Sequence, residues 1–198
     1  MPTGVAIRDA RQQLFDAAER ILLRDGPNAL TSRAVTAEAG CAKGVLHRHF
    51  ADFDDFLAEL VLDRIARMGG QADVLRASAG TGTVTGNLAD VLTELFESVA
   101  VAIVALVTFR DELRARLRRA GSAGVPLLTE AVAMVAAYLE AEREAGRVAA
   151  DADVGTLAPT LIGAAHLLFA DRGGAPPDPE AVRRTVAAVV AGAVREPR

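Results

Sequence analysis

The sequence predicts an all-α fold. Apolar residues recur at intervals of three and four along nearly every segment, and no segment alternates with period two for long. Glycine and proline punctuate these segments, as they do between helices. The chain has 198 residues, of which 51% are hydrophobic, so it can bury a sizeable core and is not a disordered chain. We therefore expect one or two helical domains.

The first predicted helix ends at Gly26-Pro27, because glycine favours the position just past a helix and proline cannot continue one. Its one-sided apolar stripe consists of Leu14, Ala18, Ile21 and Leu22. Thr31 is a good N-cap for a second helix, which Gly40 ends after about two turns. A third short helix is predicted from Ala42 to Phe50.

The pattern predicts a fourth helix from Asp52 to Met68 that ends at Gly69-Gly70. The glycine-, serine- and threonine-rich stretch at 71–86 is expected to be a loop. A long and almost wholly apolar helix, buried on most sides, is predicted from Asn87 to Phe109. The charged segment Asp111 to Ala120 is expected to be solvated.

Three more helices complete the pattern. The first opens at Pro126 and ends at Gly146, and its Glu140, Glu142 and Glu144 are expected to form a solvated run. The next spans Asp151 to Ala170. After a break at 173–177, the last begins with Pro179 at its first position and reaches about Arg195. We place a domain boundary near residue 70, with one domain at 1–68 and another at 69–198.

Charge and composition exclude several classes of protein. The net charge of −4 excludes a polybasic architectural binder, and the one cysteine, Cys41, excludes a disulfide framework or a cysteine-based zinc site. The N-terminus does not resemble a signal peptide, and the longest apolar run, Val99 to Val107, is about half of a membrane span. We expect a cytoplasmic protein without a membrane partner.

Residues 31–50 carry the most informative pattern. Two short helices joined by a tight turn at residues 40–42, after a longer helix, are typical of a helix-turn-helix. This window holds three basic residues and one acidic residue, so its charge is +2 in an acidic protein. A short helix presented in this way fits the major groove of DNA.

The stretch LTSRAVTAEAGCAKGVLHRHFADFDDFLAELV resembles the N-terminal domain of the tetracycline-repressor (TetR) family. The resemblance continues upstream through RDARQQLFDAAERILLRDGPNAL and covers roughly residues 8–68. It implies a three-helix DNA-binding domain followed by a helical bundle for ligand binding and dimerisation. It also implies a homodimer on a palindromic operator of double-stranded DNA, released by a small-molecule inducer.

The candidate DNA-binding residues lie on the second and third helices and in the turn between them. They are Thr31, Ser32, Arg33, Lys43, Gly44, Val45, His47, Arg48 and His49. Lys43 can reach a guanine acceptor or a phosphate, and Gly44 lets the backbone approach closely. The hydroxyls and free N–H groups at the start of the second helix suit a phosphate.

The sequence departs from the family pattern, which usually has tyrosine at His47, a hydroxyl at Ala42 and Val45, and a basic residue at Phe53. Each change removes a phosphate partner. Three outcomes follow: weaker binding to a different operator, compensation by the two histidines, or loss of DNA binding. A metal site at His47 and His49 is not expected, since positions i and i+2 of a helix point about 200° apart.

The C-terminal two thirds offers a candidate pocket and a candidate interface. A mostly apolar pocket with a few polar groups is predicted around Phe96, Ile103, Val107, Thr108, Met134, Tyr138, His166 and Phe169. Helical stripes on the last two helices predict a four-helix dimer interface through Leu157, Leu161, Ala165, Leu168, Val182, Val186, Val189 and Val190. The alternative is that both sets pack as ordinary core.

An enzyme is the main rival class. The segment from Gly80 to Gly86 follows no strand and does not match a dinucleotide-binding loop, and the sequence has no P-loop, nucleophile elbow or metalloprotease motif. We expect no catalytic residue, cofactor or metal. The favoured hypothesis is a ligand-responsive homodimeric repressor, and the alternative is a helical ligand-binding or interaction protein whose helix-turn-helix no longer binds DNA.

Overall fold

The computed structural model describes residues 10–170 and 176–195 and confirms the all-α prediction. Across these two ranges the chain forms ten α-helices, a one-turn 3-10 helix at Pro27–Ala29 and a single β-bridge between Val148 and Val194. The helices are α1 Ala10–Asp25, α2 Ser32–Glu38, α3 Val45–His49, α4 Phe53–Ala77, α5 Val84–Glu97, α6 Ala100–Thr108, α7 Asp111–Arg119, α8 Leu128–Glu144, α9 Val154–Phe169 and α10 Pro179–Val190.

Helices α1 to α3 form the expected helix-turn-helix. The predicted stripe of α1 is buried, and Leu30 and Val35 are buried on either side of the cap of α2. Thr31 accepts a hydrogen bond from the amide of Ala34, with an Oγ1–N distance of 3.1 Å, as an N-cap should. Gly40 has a φ of +65°, the left-handed conformation that ends α2 and turns the chain towards α3.

A cluster of four phenylalanine rings joins α1 and α3 to the start of α4. The centroid of the Phe56 ring lies 5.7 Å from that of Phe15, 5.1 Å from that of Phe50 and 5.7 Å from that of Phe53. Phe15, Phe50 and Phe56 are buried. Aromatic pairs at such distances stabilise a fold beyond the area they bury. The cluster therefore fixes the helix-turn-helix to the first turn of the long helix α4.

The predicted end of the fourth helix at Gly69-Gly70 is wrong, because α4 runs on to Ala77. The loop predicted at 71–86 is correspondingly reduced to residues 78–83. Glycine in a helix interior costs about 1 kcal/mol, which tertiary packing can offset. Here Met68 and Leu75 are buried on either side of the glycines, and α4 packs along α8.

The predicted long helix from Asn87 to Phe109 is two helices. The chain is extended at Ser98, and α5 and α6 meet there at an angle of 58°. The burial expected for this region is confirmed for α6, of which only the last residue, Thr108, is exposed. Among the described residues no single helix is long and apolar enough to cross a membrane, and the α5–α6 pair reaches that length only with this bend.

Other helix boundaries shift by a few residues. Helix α3 begins at Val45 rather than Ala42, because Lys43 and Gly44 form a turn before it. Helix α10 ends at Val190 rather than Arg195. The expectation that the charged segment after Phe109 is solvated is only half right, since α7 buries two leucines on its inner face.

Helix α4 connects the helix-turn-helix to the rest of the chain. Its first turn contacts the aromatic cluster, and the helix also packs on α7, α8 and α5. Beyond it, α5, α8, α9 and α10 pack together into the larger core. The division into domains at residue 68 stays a prediction, and α4 passes through it without a break.

Candidate nucleic-acid interface

The two short helices pack inwards through a few apolar side chains and leave their polar residues outside. Val35 of α2 and Leu46 of α3 are fully buried, and both helices contact α1. Of the nine residues predicted to bind DNA, Ser32 and Val45 are half-buried and the other seven are exposed. The structure therefore brings these residues to the accessible side of the helix-turn-helix.

Gly44 lies in the turn that precedes α3, with its backbone in the ordinary right-handed region at φ −81°. No other atom of the protein lies within 4 Å of the position that a Cβ would occupy there. The fold thus does not require glycine at this position. What glycine provides is an uncovered stretch of backbone beside the exposed Lys43.

The negative charge of Glu38, the single acidic residue between residues 31 and 50, is balanced by two arginines of α1. Arg20 and Arg24 of α1 donate hydrogen bonds to its carboxylate, at 2.9 and 3.2 Å, and hold the pKa of Glu38 below its usual range. Sequence analysis missed this contact, although the i, i+4 spacing of the two arginines put them on one face of α1. Among the described residues, the cations of this window that have no carboxylate partner are Arg33, Lys43 and Arg48.

The start of α4 is acidic and is tied to α7. Asp52 caps α4 by accepting a hydrogen bond from the amide of Asp55 at 2.8 Å, and Arg116 of α7 binds the same carboxylate at 2.6 Å. Both donors lower the pKa of Asp52. Arg110 lies 3.4 Å from Asp54 in a second ion pair. These contacts, which sequence analysis did not predict, connect the start of α4, beside the helix-turn-helix, to α7.

The Asp52 contacts make stability pH-dependent in a defined direction. Because the pKa of Asp52 is lowered in the folded chain, its stabilising effect is complete above the ordinary carboxyl pKa of about 4 and is lost as the pH falls through the lower folded value. Asp52→Asn keeps a capping side chain but loses the charge. We expect a slightly lower melting temperature at pH 7 and a shallower decline in acid, measured by circular dichroism, with Asp73→Asn as the control. Parallel curves for Asp52→Asn and the unmodified chain would contradict this role.

The residues predicted to bind a ligand are mostly core. Phe96 packs against Phe169 and His166, with ring centroids 5.8 and 5.9 Å apart, and Tyr138 is fully buried. Thr108 is exposed at the end of α6, where its hydroxyl donates to the carbonyl of Val104. The members that are buried in the core are Phe96, Ile103, Val107, Met134, Tyr138 and Phe169.

A buried carboxylate lies beside Tyr138. The expectation that Glu142 is solvated is wrong, because it is fully buried and accepts hydrogen bonds from the Tyr138 hydroxyl at 2.6 Å and the Gly80 amide at 3.1 Å. Arg147 lies 3.3 Å from the same carboxylate, and the Asn87 amide donates to the Tyr138 hydroxyl. Burial, together with the bond to Glu142, raises the pKa of Tyr138 well above its usual value. The network fastens the turn after α4 to α8.

The stripes predicted to form a dimer interface face inwards. Helix α10 packs on α5 and α9 of the same chain, which buries Val182, Val186 and Val190. On α9, Leu161 and Ala165 are also buried. Leu157, Leu168 and Val189 are half-buried. Most of this set therefore belongs to the core of the chain itself.

Comparisons with known proteins agree with this geometry. Residues 14–60 match the family described as bacterial regulatory proteins, tetR family. No curated protein sequence matches the chain.

Several solved structures share the fold over almost the whole chain. Reduced NemR from E. coli has a TM-score of 0.73 at 16% identity and covers 94% of this chain and 98% of its own. FadR from Bacillus subtilis, solved with stearoyl-CoA, has a TM-score of 0.66 at 16% identity, with coverages of 91% and 98%. A TetR transcriptional regulator from Agrobacterium tumefaciens has a TM-score of 0.60 at 21% identity, with coverages of 94% and 94%.

Proposed function

We propose that this chain, whose residues 14–60 match the tetR family of bacterial regulatory proteins, is a member of that family and a homodimeric repressor that a small molecule releases from DNA. The observation that carries the proposal is the set of exposed, unpaired cations on the helix-turn-helix. One of them, Lys43, directly precedes the uncovered backbone of Gly44, and the whole protein has a net charge of −4. A local basic surface of this kind is the electrostatic feature expected of a site that binds the phosphate backbone of DNA.

Helix α3 is the element that enters the major groove in this proposal. Lys43 and Gly44 lead the chain into the groove, where the lysine reaches a base edge or a phosphate. Arg48 and the two histidines follow on α3, and all three side chains are exposed. Arg33 on α2 contacts the backbone and sets the register of the protein on the duplex.

Release of DNA is proposed to act through α4. The aromatic cluster lies at the first turn of this helix and the Glu142 network holds the turn that follows its last residue, so a shift of its C-terminal end would move the helix-turn-helix. A ligand that binds one position of α4 better than the other changes the population of each. The Arg116–Asp52 ion pair is part of the contact that such a movement must rearrange.

A dimer positions two copies of α3 on one operator. The exposed side of α9 carries a stripe at i, i+4, i+7 and i+11, which consists of Thr156, Thr160, Gly163 and Leu167. Small side chains permit close helix approach, and the side chain of Leu167 is 77% exposed. We propose that this stripe faces the second protomer; a palindromic operator requires the two recognition helices to lie about 34–36 Å apart, one turn of DNA.

The proposal is tested by selecting double-stranded DNA from a random pool with the purified full chain. We expect enrichment of a sequence with two inverted half-sites, bound as two protomers per duplex in analytical ultracentrifugation. Affinity should fall steeply between about 50 and 200 mM salt, because phosphate contacts release counterions. Binding without sequence enrichment, or no binding at low salt, would contradict the proposed repressor function. It would favour a ligand-binding protein whose helix-turn-helix no longer binds DNA.

Gly44→Ala separates a DNA contact from a folding role. The Cβ meets no protein atom and the backbone is already helical, so the free energy of unfolding should stay the same or rise by less than about 1 kcal/mol. Affinity for the selected operator should fall about tenfold, because the methyl group occupies the space where the DNA lies. Fluorescence anisotropy and thermal unfolding measure the two quantities. Unchanged affinity would show that the backbone at Gly44 does not approach DNA.

A further inference from the structure

The C-terminal half of α4 and the facing helix α5 enclose a cleft of about 470 Å³, within the range of small-molecule sites. Leu75 and Val91 are buried at its base, and Val74, which is 72% exposed, stands at its rim. None of the residues predicted from the sequence to bind a ligand lines it. The cleft therefore presents an apolar surface that the predicted pocket did not include.

Gly70, in the second half of α4, contributes to the opening of the cleft. Gly70 lines it, and no atom lies within 4 Å of the Cβ position there. A larger side chain at this point of the helix would project into the space between α4 and α5. At Gly70 the helix thus accepts a residue of poor helix propensity whose missing side chain leaves room in the cleft.

The charge that remains in the cleft is negative. Asp90 has no hydrogen bond or ion pair with any described residue, and Glu94 accepts only a neutral amide bond from Gln71, at 2.8 Å. Arg67 also lines the cleft, but its guanidinium is already paired with Glu19 at 2.6 Å and Asp63 at 2.7 Å. Asp90 and Glu94, one helical turn apart, form no ion pair with any described residue, although Arg183 of α10 lines a neighbouring groove together with both of them.

We propose that the α4–α5 cleft binds an organic cation with an apolar body, which acts as the effector. The cationic group lies between Asp90 and Glu94, and the apolar part lies on Val74, Leu75 and Val91. Carboxylates on the rim of an apolar cleft attract a cation and repel an anion of the same shape.

The cleft is joined to the DNA-binding helices by one ion pair. Arg67 is a wall residue of the cleft, and its partner Glu19 belongs to α1. A cation bound beside Arg67 repels it and so disturbs the contact with α1. This effector role rests on the proposed function, whereas binding to the cleft is independent of it.

Tetraphenylphosphonium and tetraphenylborate test the proposal, because they share shape and size and differ in the sign of charge. We expect calorimetry on the full chain without DNA to show binding of the phosphonium and none of the borate. Asp90→Asn combined with Glu94→Gln should weaken phosphonium binding about tenfold, and Glu144→Gln, which removes a distant exposed charge, should leave it unchanged. Equal binding of both probes, or binding that the double variant does not weaken, overturns the proposal.

Gly70→Leu gives a second variant that blocks the cleft without removing charge. It should abolish phosphonium binding while thermal stability stays the same or rises, since leucine is the better helix former. Retained binding in this variant overturns the assignment of the site. Release of the selected operator by the phosphonium supports the effector role, and an operator complex that survives saturating phosphonium overturns it. Failure to bind any operator counts against the proposed repressor and leaves the calorimetric result on the cleft intact.

Discussion

Glu142→Ala is expected to lower the free energy of unfolding by about 3–5 kcal/mol, the usual cost of removing one member of a buried ion pair. The carboxylate is fully buried and accepts from both the Tyr138 hydroxyl and the Gly80 amide. Its removal leaves the guanidinium of Arg147 without its carboxylate and the tyrosine hydroxyl without its acceptor. For a chain of this length, the melting temperature should fall by roughly 10 °C.

Two companion variants show whether the network or the charge alone is responsible. Glu144→Ala removes an exposed carboxylate from the same helix and should change the melting temperature little. Tyr138→Phe removes only the hydroxyl and should cost less than Glu142→Ala, because Gly80 and Arg147 keep their acceptor. Urea unfolding followed by circular dichroism measures all three. A loss below about 1 kcal/mol for Glu142→Ala would mean that water replaces the carboxylate.

Lys43→Ala is expected to weaken binding to the selected operator by about tenfold or more and to reduce the salt slope by about one per subunit. The side chain is exposed, has no carboxylate partner among the described residues and precedes the proposed recognition helix directly. Its loss should leave thermal stability unchanged. Anisotropy titrations at several salt concentrations measure both the affinity and the slope.

Arg118→Ala is the matched control for Lys43→Ala. Arg118 is an exposed cation on α7, outside the helix-turn-helix, so its removal changes the net charge by the same amount. If Lys43 contacts DNA directly, Lys43→Ala should lower the affinity for the operator strongly and Arg118→Ala should lower it little. Equal effects would mean that DNA responds to the overall charge of the protein, in conflict with the proposed interface.

The helix-turn-helix was predictable because it is encoded by neighbours in the sequence. The stripe of α1, the Thr31 cap and the Gly40 turn each act over a few residues, and each was confirmed. The exposed positions of α2 and α3 followed from the same local pattern. The pairing of Glu38 with two arginines of α1 did not, because it joins residues 14 and 18 positions apart.

The C-terminal helices were harder to predict, since their boundaries depend on what packs against them. Gly69 and Gly70 usually indicate the end of a helix, yet α4 continues to Ala77 and packs against α8. The apolar run from Asn87 to Phe109 has no proline, and only the burial of both α5 and α6 selects the bend at Ser98. The apolar stripes on α9 and α10 correctly indicated that these faces are buried, but they did not indicate which helices pack against them.

The sequence by itself determined the all-α class, the helix-turn-helix and its exposed basic residues, because helical period, capping and turn chemistry act within a few residues. Only the tertiary structure decided that Glu142 is buried, that α10 packs on α5 of its own chain, and that an acidic cleft lies beside Gly70. These features join residues tens of positions apart. Whether a glutamate is solvated or buried depends on the donors that the fold brings to it, and no local pattern carries that information.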